Sequence, residues 1–399
     1  MRIGVYGGSF NPPHTGHSLA AAELIRKLSL DKLLIVPAAD PPHKSLAAGS
    51  PAPMDRLALC RVAFAGVPGT EVCDIELRRE GKSYTVDTLA ELTAENPTDE
   101  FFLVMGTDMF LSFTTWREPE RIASMATLAV VHRSEDAYTW SNVLNEAIRL
   151  RQLMHARIET VDNECVEISS TRVRRMLALG APECLDPAAL ALIRENGWYL
   201  TGGQLRNLPY EELKEIALSL HDEKRRDHVV GTAETAAALA ELWGADPEHA
   251  RRGGILHDIT KALTAAEQYT FCRAYGMDVT EFQYANPKLL HAVTGAAAAR
   301  EIFGEEEAVV DAIRWHTTGR PEMTTLEKIL YIADYMEPNR RFPGVEKLRD
   351  LAWKDLDAAV YCGLDQSVSH LRANDRAIDS DSLEAWNYYR KLTERSYEP

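Results

Sequence analysis

Two groups of residues in this 399-residue chain could do chemistry. The first is Gly7-Gly8-Ser9-Phe10-Asn11-Pro12-Pro13-His14-Thr15-Gly16-His17. Its leading glycines let the backbone turn sharply and approach a ligand closely. Free N–H groups at the start of a following helix favour an anion, and His14 and His17 can add donors aimed at the same point. A phosphate is the natural guest. The loop is neither a Walker A sequence nor the G-x-G-x-x-G fingerprint. The second group is dispersed: His228, the pair His257-Asp258, His291, His316 and Asp334. Each lies in a predominantly apolar helical stretch, where an ionisable group needs a partner. Histidine and carboxylate ligands suit Fe, Mn or Zn, and an adjacent His-Asp pair lets the carboxylate bridge two metals. One His-Asp dipeptide means little. The whole order H…HD…H…H…D means much more.

Positioning the first group takes a strand before it and a helix after it. Residues 2–6 read as a buried strand and 18–28 as an apolar-periodic helix. Residues 32–37 form a second strand, giving a βαβ start that ends in Pro41-Pro42-His43-Lys44. Ligands of open α/β sheets sit outside the carboxyl ends of strands, which brings His43 and Lys44 towards the loop. Taken alone, that segment reads as a solvated proline-rich turn. A helix carrying Arg56 and Leu59 follows, then a strand over 71–77 and a helix over 83–92 opened by Ser83-Tyr84-Thr85. Strand 101–105 delivers Gly106-Thr107-Asp108, where Asp108 could meet ribose hydroxyls or a cation, or simply cap a helix. Trp116 offers a face on which a heterocycle could stack, or is core. Strands at 127–131 and 157–161 precede Ser169-Ser170-Thr171-Arg172-Val173-Arg174, a second helix start with donors and positive charge suited to phosphate.

Length and 45% hydrophobic content allow two ordinary cores. A net charge of −16 argues against a general nucleic-acid binder. Six cysteines without a C-x-x-C indicate neither a zinc ribbon nor a redox dithiol. With no signal-peptide pattern and no apolar run long enough to span a bilayer, a cytoplasmic protein without membrane partners is the expectation. Gly202-Gly203 marks a boundary, after which strand patterns cease. The expected domains are 1–201, a linker over 202–208, and an all-helical domain over 209–399. Lys261 by itself reads as a solvated helix charge. His221, His249 and His370 stand in polar surroundings and should face solvent. Homo-oligomerisation is compatible with the sequence and not specified by it.

Over nearly all of 1–200, GGSFNPPHTGH, PPHK, SYTVDTL, GTDMF…W and ISSTRVR together resemble nicotinate-nucleotide adenylyltransferases of the nucleotidyltransferase superfamily. The resemblance implies a Rossmann-like α/β domain with a mostly parallel sheet. It also implies the reaction of ATP with nicotinate mononucleotide to give deamido-NAD and pyrophosphate, with Mg²⁺. By motif, Gly7, Gly8, Ser9, Phe10, His14, His17, Ser170, Thr171 and Arg174 would hold ATP, with catalytic roles for His14, His17, Lys44 and Arg174. Lys44, Tyr84, Thr85, Asp108 and Trp116 would form the nicotinate mononucleotide side. Rival acceptors are nicotinamide mononucleotide and pantetheine phosphate. Over roughly 208–390, GILHDITK, RWHTTG and ADYMEPNR resemble HD-domain phosphohydrolases that split diadenosine tetraphosphate symmetrically into two ADP. This implies two divalent metals, Fe or Mn, on His228, His257, Asp258, His291, His316 and Asp334. It further implies a metal-activated hydroxide, with Asp258 catalytic and Lys261 and Arg340 on substrate phosphates. The alternatives are a nucleotide- or metal-binding regulatory sensor, or hydrolysis of another nucleotide.

Overall fold

Short runs of Val, Ile, Leu and Phe alternate with amphipathic helices in the first half, the pattern of strands buried on both faces. The computed structural model describes residues 1–41, 46–132, 137–162, 168–201 and 203–396. Six strands, β1 (Arg2–Gly8), β2 (Lys32–Pro37), β3 (Thr70–Val72), β4 (Glu100–Gly106), β5 (Ala126–His132) and β6 (Ile158–Asp162), form one sheet. Their order is β3-β2-β1-β4-β5-β6 and every pairing is parallel. The helices of this half are α1 (Thr15–Lys27), α2 (Pro53–Phe64), α3 (Thr85–Glu95), α4 (Thr107–Leu111), α5 (Pro119–Met125), α6 (Ala137–Met154), α7 (Ser170–Ala178) and α8 (Pro187–Asn196). Strand alternation sends Leu33 and Ile35 into one layer with Leu24 of α1 and Cys60 and Phe64 of α2. Leu34 and Val36 enter the opposite layer with Leu89 of α3, Ile122 of α5 and Leu150 of α6. The strand order reverses direction between β1 and β4, so a crevice opens beyond their carboxyl ends. Gly8 and Gly106 both lead into it.

The strand expected over 71–77 is shorter. It stops at Val72, and Ile75–Arg78 form a 3₁₀ turn. The turn carries Ile75 into the core and Glu76 to Thr88, whose Oγ1 donates to Glu76 Oε1 at 2.8 Å. Burying that carboxylate on a partner outweighs continuing an edge strand.

The second half is entirely helical among the described residues: α9 (Tyr210–Leu220), α10 (Glu223–Trp243), α11 (Pro247–Leu256), α12 (Ala265–Ala274), α13 (Glu281–Ala285), α14 (Leu290–Ala298), α15 (Glu307–Trp315), α16 (Thr325–Met336), α17 (Val345–Ala352), α18 (Leu356–Ala373) and α19 (Ser380–Ser396), with short 3₁₀ and π turns between. No described helix is long and apolar enough to cross a membrane. Gly254 of α11 lies against α10 so closely that a Cβ there would be 2.4 Å from the Ala233 Cα. This approach brings the ends carrying His228 and His257 together.

The chain divides into two compact units, Met1–Ala178 with Pro182–Gly202, and Leu179–Ala181 with Gly203–Pro399. The connector expected over 202–208 is not a free tether. Leu205 is buried, Arg206 Nη1 donates to the Glu301 carbonyl at 2.7 Å, and the Asn207 N–H donates to the Phe303 carbonyl at 2.8 Å. One apolar side chain and two hydrogen bonds dock residues 203–208 onto the second unit. His221, expected at the surface, is also buried, at the end of α9. His370 is exposed and His249 half-buried near Glu306.

Candidate functional site

In the first unit, the loop after β1 carries the candidate phosphate residues into α1. His14 is the N-cap, and its backbone N–H donates to His17 Nδ1 at 3.2 Å in a capping-box arrangement. In the neutral ring this leaves the proton on His17 Nε2, a donor. The two imidazoles stack with centroids 3.7 Å apart. Gly16 permits this, since a Cβ there would lie 3.1 Å from the His14 ring and 3.3 Å from Ile168. From the far end of the unit, α7 clasps the same loop. Ser170 Oγ donates to the Pro12 carbonyl at 3.0 Å, and Arg174 Nη1 donates to the Asn11 carbonyl at 2.5 Å. Ser169 Oγ accepts from the Arg172 N–H at 3.2 Å, so Ser169 caps α7. Gly7, Gly8, Ser9, His14, His17, Ser170, Thr171 and Arg174 are thus gathered at one crevice. The Phe10 ring is buried against Tyr6, Phe64 and His17, which leaves its backbone to face a ligand.

The acceptor-side residues surround the ends of β2 and β4. Ser83 Oγ accepts from the Ala39 N–H at 2.9 Å, tying the start of α3 to the end of β2. Tyr84 is half-buried beneath the Arg117 guanidinium, 4.7 Å above its ring, and Thr85 opens α3. Asp108 is exposed in the first turn of α4, whose N-cap is Gly106. Trp116 is half-buried against Phe113. Lys44 and His43 lie outside the described residues.

In the second unit, the six expected ligand residues converge from α10, α14 and α16 and from the turns that end α11 and α15. Three rings share one device. His257 Nδ1 lies 2.7 Å from the Gly254 carbonyl, His291 Nδ1 2.5 Å from Lys288 and His316 Nδ1 2.7 Å from Ile313. A carbonyl only accepts, so each Nδ1 carries hydrogen, and in the neutral ring each Nε2 presents a lone pair inward. The two oxygens of Asp258 divide these rings. Oδ2 is 3.5 Å from His257 Nε2 and 3.7 Å from His228 Nε2, whereas Oδ1 is 3.3 Å from His291 Nε2 and 3.7 Å from His316 Nε2. Asp334 Oδ1 joins the first pair, 3.2 Å from His228 Nε2 and 3.8 Å from His257 Nε2.

This set fits divalent metals. His291 and His316 bring their Nε2 atoms within 3.2 Å of each other, and the Lys261 ammonium already stands 2.8 Å from the first of them, so the pocket is one that gathers lone pairs around positive charge. The buried His228 Nε2, His257 Nε2 and Asp258 Oδ1 have no hydrogen-bond partner among the described residues. His228, His257 and Asp334 can offer one atom each within 4.8 Å of one another, and so can His257, Asp258 and His316. Burial opposes charge on both aspartates, but His257 beside Asp258, and His228, His257 and Arg340 beside Asp334, hold both carboxyls well below the usual range. They remain anionic.

Cations ring the same carboxylates. Lys261 Nζ is 2.8 Å from His291 Nε2 and 3.7 Å from Asp258 Oδ1, and burial lowers its pKa. Arg340 donates to Asp334 Oδ1 at 2.5 Å and to its carbonyl at 2.8 Å. Arg225, not singled out from the sequence, pairs with Asp258 Oδ2. Its signal was its place one turn before His228 on the same helix face. Glu337 was also missed, although it stands one turn beyond Asp334. It is buried, and its Oε1 lies 3.1 Å from His228 Nδ1. Its Oε2 accepts from the Asn339 N–H at 2.7 Å and the Asn339 amide at 3.0 Å. Gly231 leaves room for it, since a Cβ there would approach Oε2 to 2.6 Å. His228 is therefore oriented by a carboxylate where its three companions use carbonyls. Glu337→Gln should weaken metal retention about 10- to 100-fold, read by equilibrium dialysis. Unchanged retention would deny Glu337 this role.

A pH dependence follows for the chelator-treated chain. Burial holds His316 at about 4, against an ordinary value near 6.5 in the unfolded chain, and it lowers His291 as well. Between those values the unfolded chain binds more protons, so stability falls as pH falls. His257 runs the other way: burial lowers it, but Asp258 and Asp334 outweigh burial and raise it, adding stability that is lost as pH rises past 6.5. Unfolding of the helical unit should therefore become easier from pH 6.5 to 4, with His316 contributing on the order of 3 kcal/mol. A His316→Gln variant with the same slope would remove His316 from this account.

A parallel sheet with a glycine- and histidine-bearing loop at its switch point, followed by a helical unit in which the H…HD…H…H…D residues converge, defines a nucleotidyltransferase domain joined to an HD domain. Family models agree, with a cytidylyltransferase-like match over residues 5–176 and an HD-domain match over 225–339. A symmetrical bis(5'-nucleosyl)-tetraphosphatase of Halalkalibacterium halodurans is 43% identical over 166 residues, covering 41% of this chain and 88% of that one. A probable nicotinate-nucleotide adenylyltransferase of a Shewanella species is 34% identical over 214 residues, covering 50% of this chain and 100% of that one. A solved HD superfamily hydrolase from Clostridium acetobutylicum, described as predicted and as involved in NAD metabolism, is 35% identical with a TM-score of 0.45, covering 46% of this chain and 98% of that one. The chain belongs to the nicotinate-nucleotide adenylyltransferase family in its first half and to the symmetrical bis(5'-nucleosyl)-tetraphosphatase family of HD proteins in its second.

Proposed function

We propose a bifunctional enzyme that adenylylates nicotinate mononucleotide with ATP and hydrolyses diadenosine tetraphosphate to two ADP. Support for the first activity is the single crevice at which α1, α7 and the Gly7–His17 loop meet. The acceptor's phosphate is already a nucleophile, so no general base is needed. Alignment and neutralisation of charge at the ATP phosphates remain. His17 and Arg174 supply donors and positive charge, the Ser170 and Arg174 clasps hold the loop in shape, and Mg²⁺ accompanies ATP. Tyr84, Thr85, Asp108 and Trp116 would form the acceptor side, with Lys44 assisting.

The second activity is carried by one observation: the two oxygens of Asp258 each face a pair of histidine Nε2 atoms. Two divalent cations, Fe or Mn, held by His228, His257, Asp258, Asp334, His291 and His316 would supply a hydroxide nucleophile and neutralise the leaving oxygen. Arg225, Lys261 and Arg340, which ring the same carboxylates, would take substrate phosphates.

The test uses the full chain. ATP with nicotinate mononucleotide should yield pyrophosphate and deamido-NAD, at a higher kcat/KM than with nicotinamide mononucleotide. Diadenosine tetraphosphate with Mn²⁺ or Fe²⁺ should yield ADP alone. AMP plus ATP would refute symmetrical cleavage. Metal binding without turnover of any nucleotide would make the helical unit a regulatory sensor.

A further inference from the structure

Arg56, on α2, is fully buried, yet among the described residues no carboxylate pairs with it. Its Nη1 donates to the Ser9 carbonyl at 2.7 Å and its Nη2 to the Ala39 carbonyl at 3.1 Å. One guanidinium thus ties the loop after β1 to the segment after β2. Its Nε has no hydrogen-bond partner among the described residues. Arg174 follows the same pattern from α7, giving its Nη atoms to the Asn11 carbonyl and to Thr171 Oγ1, again with no carboxylate among the described residues. Tyr199 lies close enough to both guanidinium groups to feel their charge. It is itself buried, in a left-handed backbone conformation (φ 59°) held by its N–H on the Gly49 carbonyl at 2.8 Å. Burial drives the Tyr199 hydroxyl and the nearby Cys60 thiol far up, so both stay neutral and neither balances a cation.

An enclosed cation without a counter-ion is costly, and two carbonyls could be satisfied by a neutral donor. The charge itself therefore calls for an explanation, and the loop it grips is the proposed phosphate loop. The Ser9 carbonyl points at Arg56, so the Phe10 N–H of the same trans peptide points away from it. We infer that Arg56 is a positioning residue of adenylyl transfer, a buried cation on the inner side of the Ser9–Asn11 loop whose balancing charge is the polyphosphate held on the outer side. This rests on the adenylyl-transfer reading above.

The experiment compares the full-length wild type with Arg56→Met and Arg56→Lys, titrating inorganic pyrophosphate at fixed ionic strength and measuring kcat and KM for adenylyl transfer. Arg56→Met should weaken pyrophosphate binding at least about 10-fold and lower kcat by more than it changes KM for nicotinate mononucleotide. Arg56→Lys, which keeps the charge but cannot reach both carbonyls, should bind pyrophosphate within about 5-fold of wild type while kcat stays about 10-fold down. A folded Arg56→Met variant with wild-type pyrophosphate affinity would overturn the inference. If Arg56→Met does not fold, wild-type kcat in Arg56→Lys would overturn it. Wild-type chain that binds neither ATP nor pyrophosphate would instead overturn the adenylyl-transfer reading, and the inference with it.

Discussion

Asp258→Asn should lower diadenosine tetraphosphate hydrolysis about 1,000-fold or more, with adenylyl transfer in the same chain unchanged. The expectation comes from the division of its oxygens between the His228/His257 pair and the His291/His316 pair. An amide offers one neutral oxygen where the carboxylate offers two that share a charge, so Asp258→Asn would leave one of the two histidine pairs without an anionic oxygen to help hold a cation. Asparagine nearly matches aspartate in shape, and the surrounding helices should keep their packing. Elemental analysis should show bound metal falling from two per chain to one or fewer, in step with the rate. A variant that kept two metals and a tenth of the activity would exclude the bridging role.

Replacing His17 by alanine should reduce kcat for adenylyl transfer about 100- to 1,000-fold and leave hydrolysis intact, the scale of losing one donor preorganised for developing charge. The same ring accepts the His14 N–H, so its loss also removes an α1 cap, worth about 1 kcal/mol. His17→Asn separates the two effects. Its side-chain oxygen can restore the cap and the thermal midpoint, whereas its shorter reach leaves the rate low. Recovery of the rate together with the midpoint would show that His17 acts only through the helix start.

How much of this was legible without coordinates follows from where each partner stands. The Gly7–His17 loop could be read because strand, turn and helix are contiguous, and the chemistry of the turn follows from residues a few positions apart. The ionisable residues that converge in the helical unit could be read for a different reason. An ionisable group in an apolar helix must be paired, so a succession of such groups announces a shared partner even when its members are far apart. Elsewhere local pattern misled. Thr201, Gly202 and Gly203 resemble a tether, but burial of Leu205 docks the following residues. Apolar residues over 71–77 resemble a strand, but the chain turns at Ile75 to bury Glu76 on Thr88.

By itself, then, the amino-acid sequence determined the alternation that builds a parallel sheet, the switch to an all-helical second half, and the ordered histidines and aspartates that the helical unit brings together. Each is encoded by periodicity or by residue types whose burial demands a partner. Only the tertiary structure decided that Arg56 grips a carbonyl 47 positions away, that Arg225 meets Asp258 across 33, and that Glu337 orients His228 across 109. Arg56 and Arg225 look like ordinary helix charges in the sequence, and Glu337 like a helix-end acid. Their roles come from which helices pack together, and a one-dimensional pattern carries no record of that.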